Sequence, residues 1–320
     1  MLELLLFAGA DRYGALGVSL RADAYAPWGS SPMPRLGELD RMQDVIRKVI
    51  ANEPVAELEK RLLRPGVSLG GARPKSLIEI DGQAWLVKFG EGEDEDTPLI
   101  EHATMTLAAR CGIDVAQTRA LPVQGRHAVA VRRFDREATA RVHAVSAHVI
   151  LRALGEPFGY PQLAQQLRRL CRADDIERQQ EQLFRRMVFN ILMDNTDDHE
   201  KNHALLRQAD GSWTLSPAYD MVPSLSRLGM QAMLVGKDGA DSTLHNAVSH
   251  CKAFGMTRRQ ATDVVDDICE VAEQWKAHFQ GSGVRDADVA VLAQYLDNDR
   301  LGGQRRQGAG ALRSSARRSR

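Results

Sequence analysis

Three polar side chains in the second half of the chain have the types and spacing that phosphoryl transfer uses. Asp197 and Asn202 stand five residues apart in the segment TDDHEKN, and Asp220 follows at the end of a predicted hairpin. The reaction needs a group that accepts the proton of the attacking hydroxyl, and it needs metal ligands at the phosphates. The Asp-x-x-x-x-Asn spacing of kinase catalytic loops supplies a carboxylate for the first task and an amide oxygen for the second. The segment therefore predicts a catalytic loop, with Asn202 and Asp220 as ligands of Mg²⁺.

A short acidic cluster is most often the solvated polar end of a helix. The sequence on either side of this loop argues against that interpretation. The preceding segment QLFRRMVFNILMDN places Leu183, Met187 and Ile191 on one face of a helix. The following segment HALLRQADGSWTL predicts a hairpin that turns at Asp210-Gly211. A buried helix, a polar loop and a hairpin that ends in Ala-Tyr-Asp together favour a catalytic loop.

His199 lies inside the same segment and raises a second interpretation, a zinc site. Zinc sites in proteins combine several His, Cys, Asp or Glu ligands at characteristic spacings. Outside the segment TDDHEKNH, no His or Cys occurs between Cys171 and His245 to complete such a site with Asp197 and Asp198. The segment therefore favours Mg²⁺ over zinc.

Lys88 lies in an apolar strand, WLVKF, where strand alternation places it on the face opposite Val87. A lysine on such a face needs an anionic partner. A phosphate group can supply the negative charge, and so can Glu101 from a helix predicted over about residues 98–111. The alternative is that Lys88 faces solvent from an edge strand and that Glu101 is an ordinary surface charge.

The segment SLGGARPK, residues 68–75, is small, flexible and cationic. Its adjacent glycines, Gly70 and Gly71, let backbone N–H groups approach phosphate oxygens. The segment is neither a Walker loop nor a GxGxxG loop, and a glycine pair is more often a simple turn. On its own it indicates only a candidate phosphate-covering loop.

The composition is that of a globular protein, because 43% of the 320 residues are apolar and 26% are charged. A chain of this length exceeds one typical hydrophobic core, which predicts two lobes or domains. The 42 basic and 42 acidic residues give no net attraction to nucleic acid or membrane. Scattered cysteines without a CxxC pair, the lack of a basic leader and the lack of an apolar run of about 18 residues predict a cytoplasmic location without a membrane span.

Shifts in pattern divide the chain into four predicted parts. The first has a Pro-rich stretch followed by helical apolar spacing, the second has short strands, the third is mostly helical, and the fourth has six arginines and no acidic residue. The fourth part is predicted to be disordered, because it has no apolar face to pack. The parts are an N-terminal segment at 1–65, interpreted as the remnant of an N-terminal subdomain, a β-rich nucleotide-binding lobe at 66–137, an α-helical catalytic lobe at 138–300 and a basic tail at 301–320.

Local signals predict the bounds of individual elements. Asp81-Gly82 lies between two strand-like segments and predicts a two-residue hairpin turn. Gly112 is expected to end the helix over 98–111. Thr257 is an N-cap residue type, and the apolar stripe that follows it continues as far as Phe279.

Five segments occur in an order that resembles one known family. They are VSLGGARPK, WLVKF, RRFDR, NTDDHEKNH and LSPAYDMVPS, and together they resemble the HipA-like serine/threonine kinases of bacterial toxin–antitoxin modules over roughly residues 60–300. The resemblance implies an α+β, bilobal protein-kinase-like (HipA-like) fold with a β-rich N-lobe and an α-rich C-lobe. It also implies that the chain transfers the γ-phosphate of ATP to a protein serine or threonine with the help of Mg²⁺.

The resemblance implies a role for each matching residue. Asp197 would accept the proton, Asn202 and Asp220 would bind Mg²⁺, and Lys88 would bind phosphate with Glu101 as its ion-pair partner. The other implied nucleotide contacts are a covering segment of Gly70, Gly71, Ala72, Arg73, Pro74 and Lys75, a position near the phosphates for His199, and an adenine-contacting hinge of Arg132, Arg133 and Phe134.

Ser68 matches the family's autophosphorylation position in the Gly-rich loop. A phosphate on this serine adds about two negative charges. The added charge is expected to expel the loop from a site that binds anions.

The resemblance also implies partners. A HipB-like DNA-binding antitoxin is expected to bind the chain, which would reach DNA only through the antitoxin, and a protein such as an aminoacyl-tRNA synthetase is the expected substrate. Two other classes stay open: a catalytically silent partner that keeps the fold to hold a protein or nucleotide, and a metal-dependent phosphohydrolase. The intact catalytic set favours an active enzyme, and a simple hydrolase has no use for Lys88 and Ser68.

Two features depart from the family pattern. The chain begins close to the family's core, so most of the usual N-terminal subdomain is expected to be encoded separately or truncated. Asp198 stands where a glycine is frequent, and an extra carboxylate beside Asp197 is expected to raise the pKa of Asp197 or to bind a second cation.

Overall fold

The computed structural model describes residues 9–28, 33–56, 59, 62, 74–137 and 140–308. Ser68 and residues 70–73, which belong to the predicted phosphate-covering segment, lie outside the described residues. The chain forms two compact units. The first comprises Met1–Leu99 and Ala116–Ala144, and the second comprises Ile100–Val115 and Val145–Arg320.

A four-stranded antiparallel sheet forms the framework of the first unit. Its strands are β1 (Lys75–Ile80), β2 (Gln83–Phe89), β3 (Thr118–Val123) and β4 (Arg126–Arg132), and a short pair follows as β5 (Arg136–Glu137) and β6 (Ala140–Arg141). The order in the sheet is β1-β2-β4-β3, so β2 and β4 are inner strands. Asp81 and Gly82 adopt φ values of 53° and 70°, and Ile80 pairs with Gln83. The predicted two-residue hairpin turn is therefore confirmed.

Helix α1 (Leu39–Ile50) shares a hydrophobic core with this sheet. Met42 and Ile46 of the helix are buried in that core together with Trp85 and Val87 of β2. Trp85 and Val87 lie on one face of β2 because side chains alternate along a strand. The helix and the strands therefore form one core, although the sequence pattern separated residues 1–65 from the β-rich part.

Helix α2 (Thr97–Arg110) confirms the helix predicted between β2 and β3. Gly112 follows it with a φ of 72° and donates its amide to the carbonyl of Ala109 at 3.0 Å. The amide of Ile113 donates to the carbonyl of Ala108, which completes a glycine-based helix end. The division between the two units falls within the first turn of this helix.

Helices dominate the second unit. They are α3 (Ala147–Ala153), α4 (Tyr160–Leu170), α5 (Ile176–Leu192), α6 (Leu244–Ser249), α7 (Arg258–Ala272), α8 (Trp275–Gly281), α9 (Asp286–Leu296) and α10 (Asp299–Gln307). Leu183, Met187 and Ile191 of α5 are fully buried, which confirms the predicted apolar face. The same helix buries four polar residues, Gln179, Gln180, Arg186 and Asn190. No helix among the described residues has the length and apolar character that a membrane crossing requires.

A small sheet combines a strand that precedes α3 with a hairpin that follows α5. Its strands are β7 (Ala144–Ser146), β8 (Ala204–Arg207) and β9 (Trp213–Leu215), in the order β7-β8-β9. Leu205 pairs with Leu215, and Gly211 turns the chain with a φ of 87°. The hairpin predicted at Asp210-Gly211 is therefore confirmed.

Helix α7 begins as predicted, because the Thr257 hydroxyl accepts a hydrogen bond from the amide of Gln260 at 3.3 Å. The apolar stripe over residues 264–279 is buried at each predicted position. It does not belong to one helix, however, since α7 ends at Ala272 and α8 begins at Trp275.

The C-terminal helix α10 differs from the predicted disordered tail. Arg305 is buried, and its guanidinium donates to the carbonyl of Leu192 at 3.2 Å and to the carboxylate of Asp297 at 2.6 Å. Residues 301–308 therefore belong to the folded unit, where Leu301 and Arg305 are both buried. One leucine among glycines and arginines is too little to give an apolar face in the sequence. Residues 309–320 lie outside the described residues.

Candidate active site

The candidate active site is built on the loop that joins α5 to β8, residues 193–203. The chain leaves the helix through Asp194, which adopts a left-handed backbone with a φ of 51°. A short 3-10 turn, Glu200–Asn202, ends the loop and leads into β8. A buried helix and a strand therefore hold the two ends of this segment, the catalytic loop.

Asp197 is an exposed residue on a fixed backbone. Its amide donates a hydrogen bond to the Ser224 hydroxyl oxygen at 3.2 Å, and the amide of Thr196 donates to the same oxygen at 2.9 Å. The carbonyl of Thr196 accepts a further bond from the amide of Ala232 at 3.0 Å. These bonds hold the main chain while the residue stays open to solvent, as a group that must meet an incoming hydroxyl requires.

Asn202 closes the catalytic loop from its other end. Its Nδ2 donates a hydrogen bond to the carbonyl of Asp197 at 3.5 Å, and the residue is buried. Because Nδ2 is the donor in this bond, Oδ1 is the atom that can serve a cation. The structure therefore brings Asp197 and Asn202 together across the loop.

Asp220 follows the β8–β9 hairpin, which returns the chain toward the catalytic loop. The hydroxyl of Tyr219 donates to the carbonyl of Lys201 at 2.8 Å. Asp220 directly follows Tyr219, and Asn202 directly follows Lys201, so this bond connects the two segments that carry Asp220 and Asn202. Asp220 adopts a φ of 61°, a conformation that aspartate tolerates better than most residues. Burial, and then the negative charge of Asp220, raise the pKa of Tyr219. The role of Asp220 as a metal ligand stays a prediction.

His199 is half-buried in the same loop. Its Nδ1 is buried and has no hydrogen-bond partner among the described residues, whereas buried nitrogens of this kind usually have one. The neighbouring Glu200 is paired, because its Oε1 lies 2.7 Å from Nδ1 of His148. Burial raises the pKa of Glu200, but the bond with His148 holds it below its ordinary value. The placement of His199 near phosphates stays a prediction.

Asp198 faces the protein interior rather than a cation site. Its residue is only 2% exposed, and its Oδ2 accepts hydrogen bonds from the Tyr160 hydroxyl and from Nε2 of His203, the latter at 2.8 Å. Burial raises the pKa of Asp198, but His203 and Tyr160 outweigh it and hold this pKa below its ordinary value. The expectation of a second cation at Asp198 is wrong, because the carboxylate is enclosed and already bound.

Sequence reasoning missed the residues that support the catalytic loop. His203 offered a weak signal, since it ends the segment NTDDHEKNH. Tyr160 offered none, because it stands 38 residues from Asp198. Ser224 offered a similarly weak signal, since it ends the segment LSPAYDMVPS, 27 residues from Asp197.

Lys88 lies on the inner strand β2 and is buried. Val87 belongs to the core on the opposite face of the sheet. The alternative that Lys88 faces solvent from an edge strand is therefore wrong. Glu101 of α2 is also buried, so it is not an ordinary surface charge. The predicted binding partners of both residues stay predictions.

The predicted hinge residues make protein contacts with their side chains. The guanidinium of Arg133 is buried and donates to the carboxylate of Asp135 at 2.6 and 2.9 Å, while Arg132 donates to Gln83 at 3.2 Å. The ring of Phe134 packs edge-on against Tyr13, with 5.9 Å between ring centroids. Contact of this segment with adenine stays a prediction. Because the three side chains contact protein groups, the contact is expected to use the backbone.

Two residues of the predicted phosphate-covering segment are described. The carbonyl of Pro74 accepts a hydrogen bond from the amide of Phe89 at 3.1 Å. Lys75 begins β1 and stands directly opposite Lys88 in β2. The segment therefore leads straight into the strand pair that carries Lys88.

The available donor set fits Mg²⁺ and the phosphates of a nucleotide. Asn202 offers an amide oxygen and Asp220 a carboxylate, and Mg²⁺ typically takes one or two carboxylates and completes its shell with phosphate and water. Within the described part of the chain, no group of three or more His, Cys, Asp or Glu side chains could by itself hold a metal ion. A site of this kind relies on the substrate for its remaining ligands.

Comparison with solved structures identifies the fold. HipA in the Shewanella oneidensis MR-1 toxin–antitoxin complex of HipA, HipB and operator DNA matches 97% of this chain and 79% of its own, with a TM-score of 0.70 and 20% identity. The proinflammatory kinase CtkA of Helicobacter pylori matches 74% of this chain and 90% of its own, with a TM-score of 0.54 and 13% identity. The chain therefore has the α+β, HipA-like protein-kinase-like fold, and the predicted fold class is confirmed.

Comparison of sequences identifies the family. The model of the HipA-like C-terminal domain matches residues 67–276, and the chain belongs to this family, as its motifs predicted. "Putative kinase Y4mE" of Sinorhizobium fredii (strain NBRC 101917 / NGR234) is 28% identical over 297 residues, which cover 82% of this chain and 69% of that protein. "Putative kinase Y4dM" of the same organism is 24% identical over 203 residues, 60% of this chain and 46% of that protein.

Proposed function

We propose that the chain is an ATP- and Mg²⁺-dependent protein serine/threonine kinase. One observation carries the proposal: Asp197, an exposed carboxylic acid residue, and Asn202 stand five residues apart in one short loop and are joined by the bond from Asn202 Nδ2 to the Asp197 carbonyl. Phosphoryl transfer uses such a pairing of a proton acceptor with a metal ligand. Asp197 accepts the proton of the attacking hydroxyl, and Asn202 and Asp220 hold Mg²⁺, which neutralises charge on the phosphates when it is bound.

Two lysines support nucleotide binding by the first unit. Lys75 and Lys88 stand directly opposite each other on neighbouring strands. Like charges in such positions repel, so an anion near them is favoured. Lys88 binds a phosphate of ATP, residues 70–75 cover the nucleotide, and residues 132–134 contact adenine through their backbone.

The relatives support a role in a toxin–antitoxin module. The HipA chain of S. oneidensis MR-1 occurs with HipB and operator DNA. By analogy, this chain acts in the cytoplasm as the toxin of a HipBA-type module, and a DNA-binding antitoxin holds it and supplies the contact with DNA. Its substrate is a protein of translation such as an aminoacyl-tRNA synthetase.

Autophosphorylation provides a test that needs no knowledge of the substrate. Purified protein incubated with γ-labelled ATP and Mg²⁺ is expected to label itself chiefly on Ser68, as mapped by mass spectrometry. The variant Ser68→Ala should lose this label, whereas Ser212→Ala, which removes an exposed hydroxyl in the β8–β9 turn, should keep it. Release of free phosphate without any labelled protein would instead indicate a phosphohydrolase. Label on other residues with none on Ser68 would contradict the switch at the Gly-rich loop.

A further inference from the structure

A series of buried hydrogen bonds runs beneath the catalytic loop. Oδ2 of Asp198 accepts one bond from Nε2 of His203 at 2.8 Å and another from the hydroxyl of Tyr160. Nδ2 of Asn190 donates to the Tyr160 hydroxyl at 3.3 Å, and Nδ2 of Asn195 donates to Oδ1 of Asn190 at 3.0 Å. All five residues are at most 2% exposed, so water competes little for these bonds.

Regular secondary structure anchors this series at several points. Tyr160 begins α4, and Asn190 lies in the last turn of α5. The amide of Ala147, at the start of α3, donates to the carbonyl of His203 at 2.8 Å, and the amide of Tyr160 donates to the carbonyl of Leu234 at 2.9 Å. The catalytic loop is therefore tied to three helices.

The carboxylate of Asp198 is costly to bury unless its partners are all present. An isolated buried charge loses its hydration, and only hydrogen bonds and opposite charge offset that loss. His203 and Tyr160 supply the hydrogen bonds, and the buried guanidinium of Arg186 adds positive charge that favours the ionised form. Arg186 is itself held by a bond from Nη2 to the carbonyl of Ser216 at 2.5 Å. Loss of one partner of the Asp198 carboxylate is therefore expected to change the conformation of the catalytic loop.

The position of the bonded pair in the sequence carries the inference. Asp198 directly follows Asp197, and His203 directly follows Asn202. Asp197 and Asn202 are thus each followed by a buried residue, and these two buried residues are hydrogen-bonded to each other. A side-chain bond between positions 198 and 203 closes the same short loop that the bond from Asn202 Nδ2 to the Asp197 carbonyl closes on its other side.

We propose that the Asp198–His203 bond, supported by Tyr160, is a loop staple that fixes the separation between Asp197 and Asn202. Its effect on reaction rate rests on the proposed kinase function, whereas its effect on loop order does not. Asp198 and His203 are positioning residues, because both are buried and act through the residues that precede them. The staple keeps the proton acceptor and the metal ligand at a fixed distance before any substrate arrives.

Three histidine variants test the staple. His203→Leu removes the donor to Asp198, whereas His203→Gln keeps an N–H donor on a side chain of similar reach. His278→Leu is the matched control, since His278 is a partly buried histidine of the same unit, at 2.9 Å from the Thr106 hydroxyl. For each protein we would measure the maximal rate of autophosphorylation, the Mg²⁺ concentration that gives half of that rate, and the thermal unfolding midpoint.

His203→Leu should lower the maximal rate about 100-fold, the effect expected when a reacting group is displaced by about 1 Å. It should also raise the Mg²⁺ concentration required, while His203→Gln recovers most of the rate. His278→Leu should keep the wild-type rate and Mg²⁺ requirement, even if its thermal unfolding midpoint falls by as much as that of His203→Leu. A folded His203→Leu protein with the wild-type rate, or a glutamine variant as impaired as the leucine variant, would overturn the staple.

Hydrogen exchange tests the staple without any reaction. In His203→Leu the amides of residues 196–203 should exchange faster than in the wild type, while the β8–β9 hairpin should be unchanged. Unchanged exchange at residues 196–203 would refute the staple whether or not the chain is a kinase. If the wild-type protein transferred no phosphate, the kinase proposal would fail, and the exchange measurement alone would then decide the staple.

Discussion

The side-chain oxygen of Ser224 lies 3.2 Å from the amide nitrogen of Asp197 and accepts its hydrogen bond. The same oxygen accepts a second bond, from the amide of Thr196 at 2.9 Å. The amide of Ser224 in turn donates to the carbonyl of Asp194 at 2.9 Å, so the segment after Asp220 and the catalytic loop fix each other. One hydroxyl thus holds the backbone at the residue proposed to accept the substrate's proton.

Replacing Ser224 with alanine should therefore slow phosphate transfer without abolishing it. The amides of Thr196 and Asp197 lose their acceptor, which destabilises the native backbone conformation at Asp197 by about 1–3 kcal/mol. We expect the maximal rate to fall about 10-fold, which corresponds to 1.4 kcal/mol. Ser226→Ala is the matched control, since among the described residues the Ser226 hydroxyl bonds to the Thr196 hydroxyl, at 3.0 Å, and holds no amide of the loop. Equal rates for the two variants would contradict the role of Ser224.

The C-terminal helix should prove essential for stability. Arg305 is buried and paired with Glu273 and Asp297, whereas the adjacent Arg306 is exposed. Arg305→Ala should lower the free energy of unfolding by about 2–5 kcal/mol, because it leaves the buried carbonyls of Leu192 and Leu296 without this donor. Arg306→Ala should change it by less than about 0.5 kcal/mol. Urea unfolding measures both variants, and similar values for the two would show that α10 is not anchored by Arg305.

The carboxylate of Asp135 should make stability sensitive to acid. Burial raises its pKa, but the hydrogen bond and charge of Arg133, and then the charge of Arg136, hold the pKa below its ordinary value of 3.8. A carboxyl group whose pKa is lower in the folded state than in the unfolded state stabilises the fold at pH values above its unfolded-state pKa. This contribution is lost as the pH falls through the folded-state pKa. Asp135→Asn should therefore cost about 3–5 kcal/mol near neutral pH, as expected for a broken buried ion pair.

The pH profile of this variant gives the decisive comparison. The gap in unfolding free energy between wild type and Asp135→Asn should be constant from neutral pH down to about pH 5 and should close below about pH 4. Asp174→Asn is the control, because Asp174 also pairs with an arginine, Arg172, but in an exposed position. This control should leave the free energy of unfolding unchanged. A gap for Asp135→Asn that does not close in acid would contradict the ionised pair.

Elements that depend on local signals were predictable from the sequence. The Asp81-Gly82 and Asp210-Gly211 turns, the cap at Thr257 and the helix end at Gly112 all occur where the residue types require them. Each rests on backbone conformations or hydrogen bonds among residues close in the chain. The motif order likewise identified the family, because the five matching segments follow in the family's order between Val67 and Ser224.

Partners that lie far apart in the chain were not predictable. Asp198 was interpreted as an extra carboxylate acting on Asp197 or on a cation, but its partner Tyr160 comes from helix α4. Arg305 was assigned to a disordered tail, because its stabilising contacts are polar and leave no apolar pattern. Which face a polar residue turns to the interior depends on tertiary packing, and a single sequence does not reveal it.

The role of Asp197 can be measured most directly by comparing it with Asp220. Asp197→Asn keeps the shape of the side chain but cannot accept a proton, so phosphate transfer should be abolished while Mg²⁺-dependent binding of ATP, measured by titration calorimetry, stays nearly intact. Asp220→Asn should instead weaken binding of ATP in the presence of Mg²⁺, because a charged ligand of the metal is lost. If both variants lose ATP affinity equally and both still transfer phosphate, Asp197 is not the proton acceptor and the proposed site is wrong.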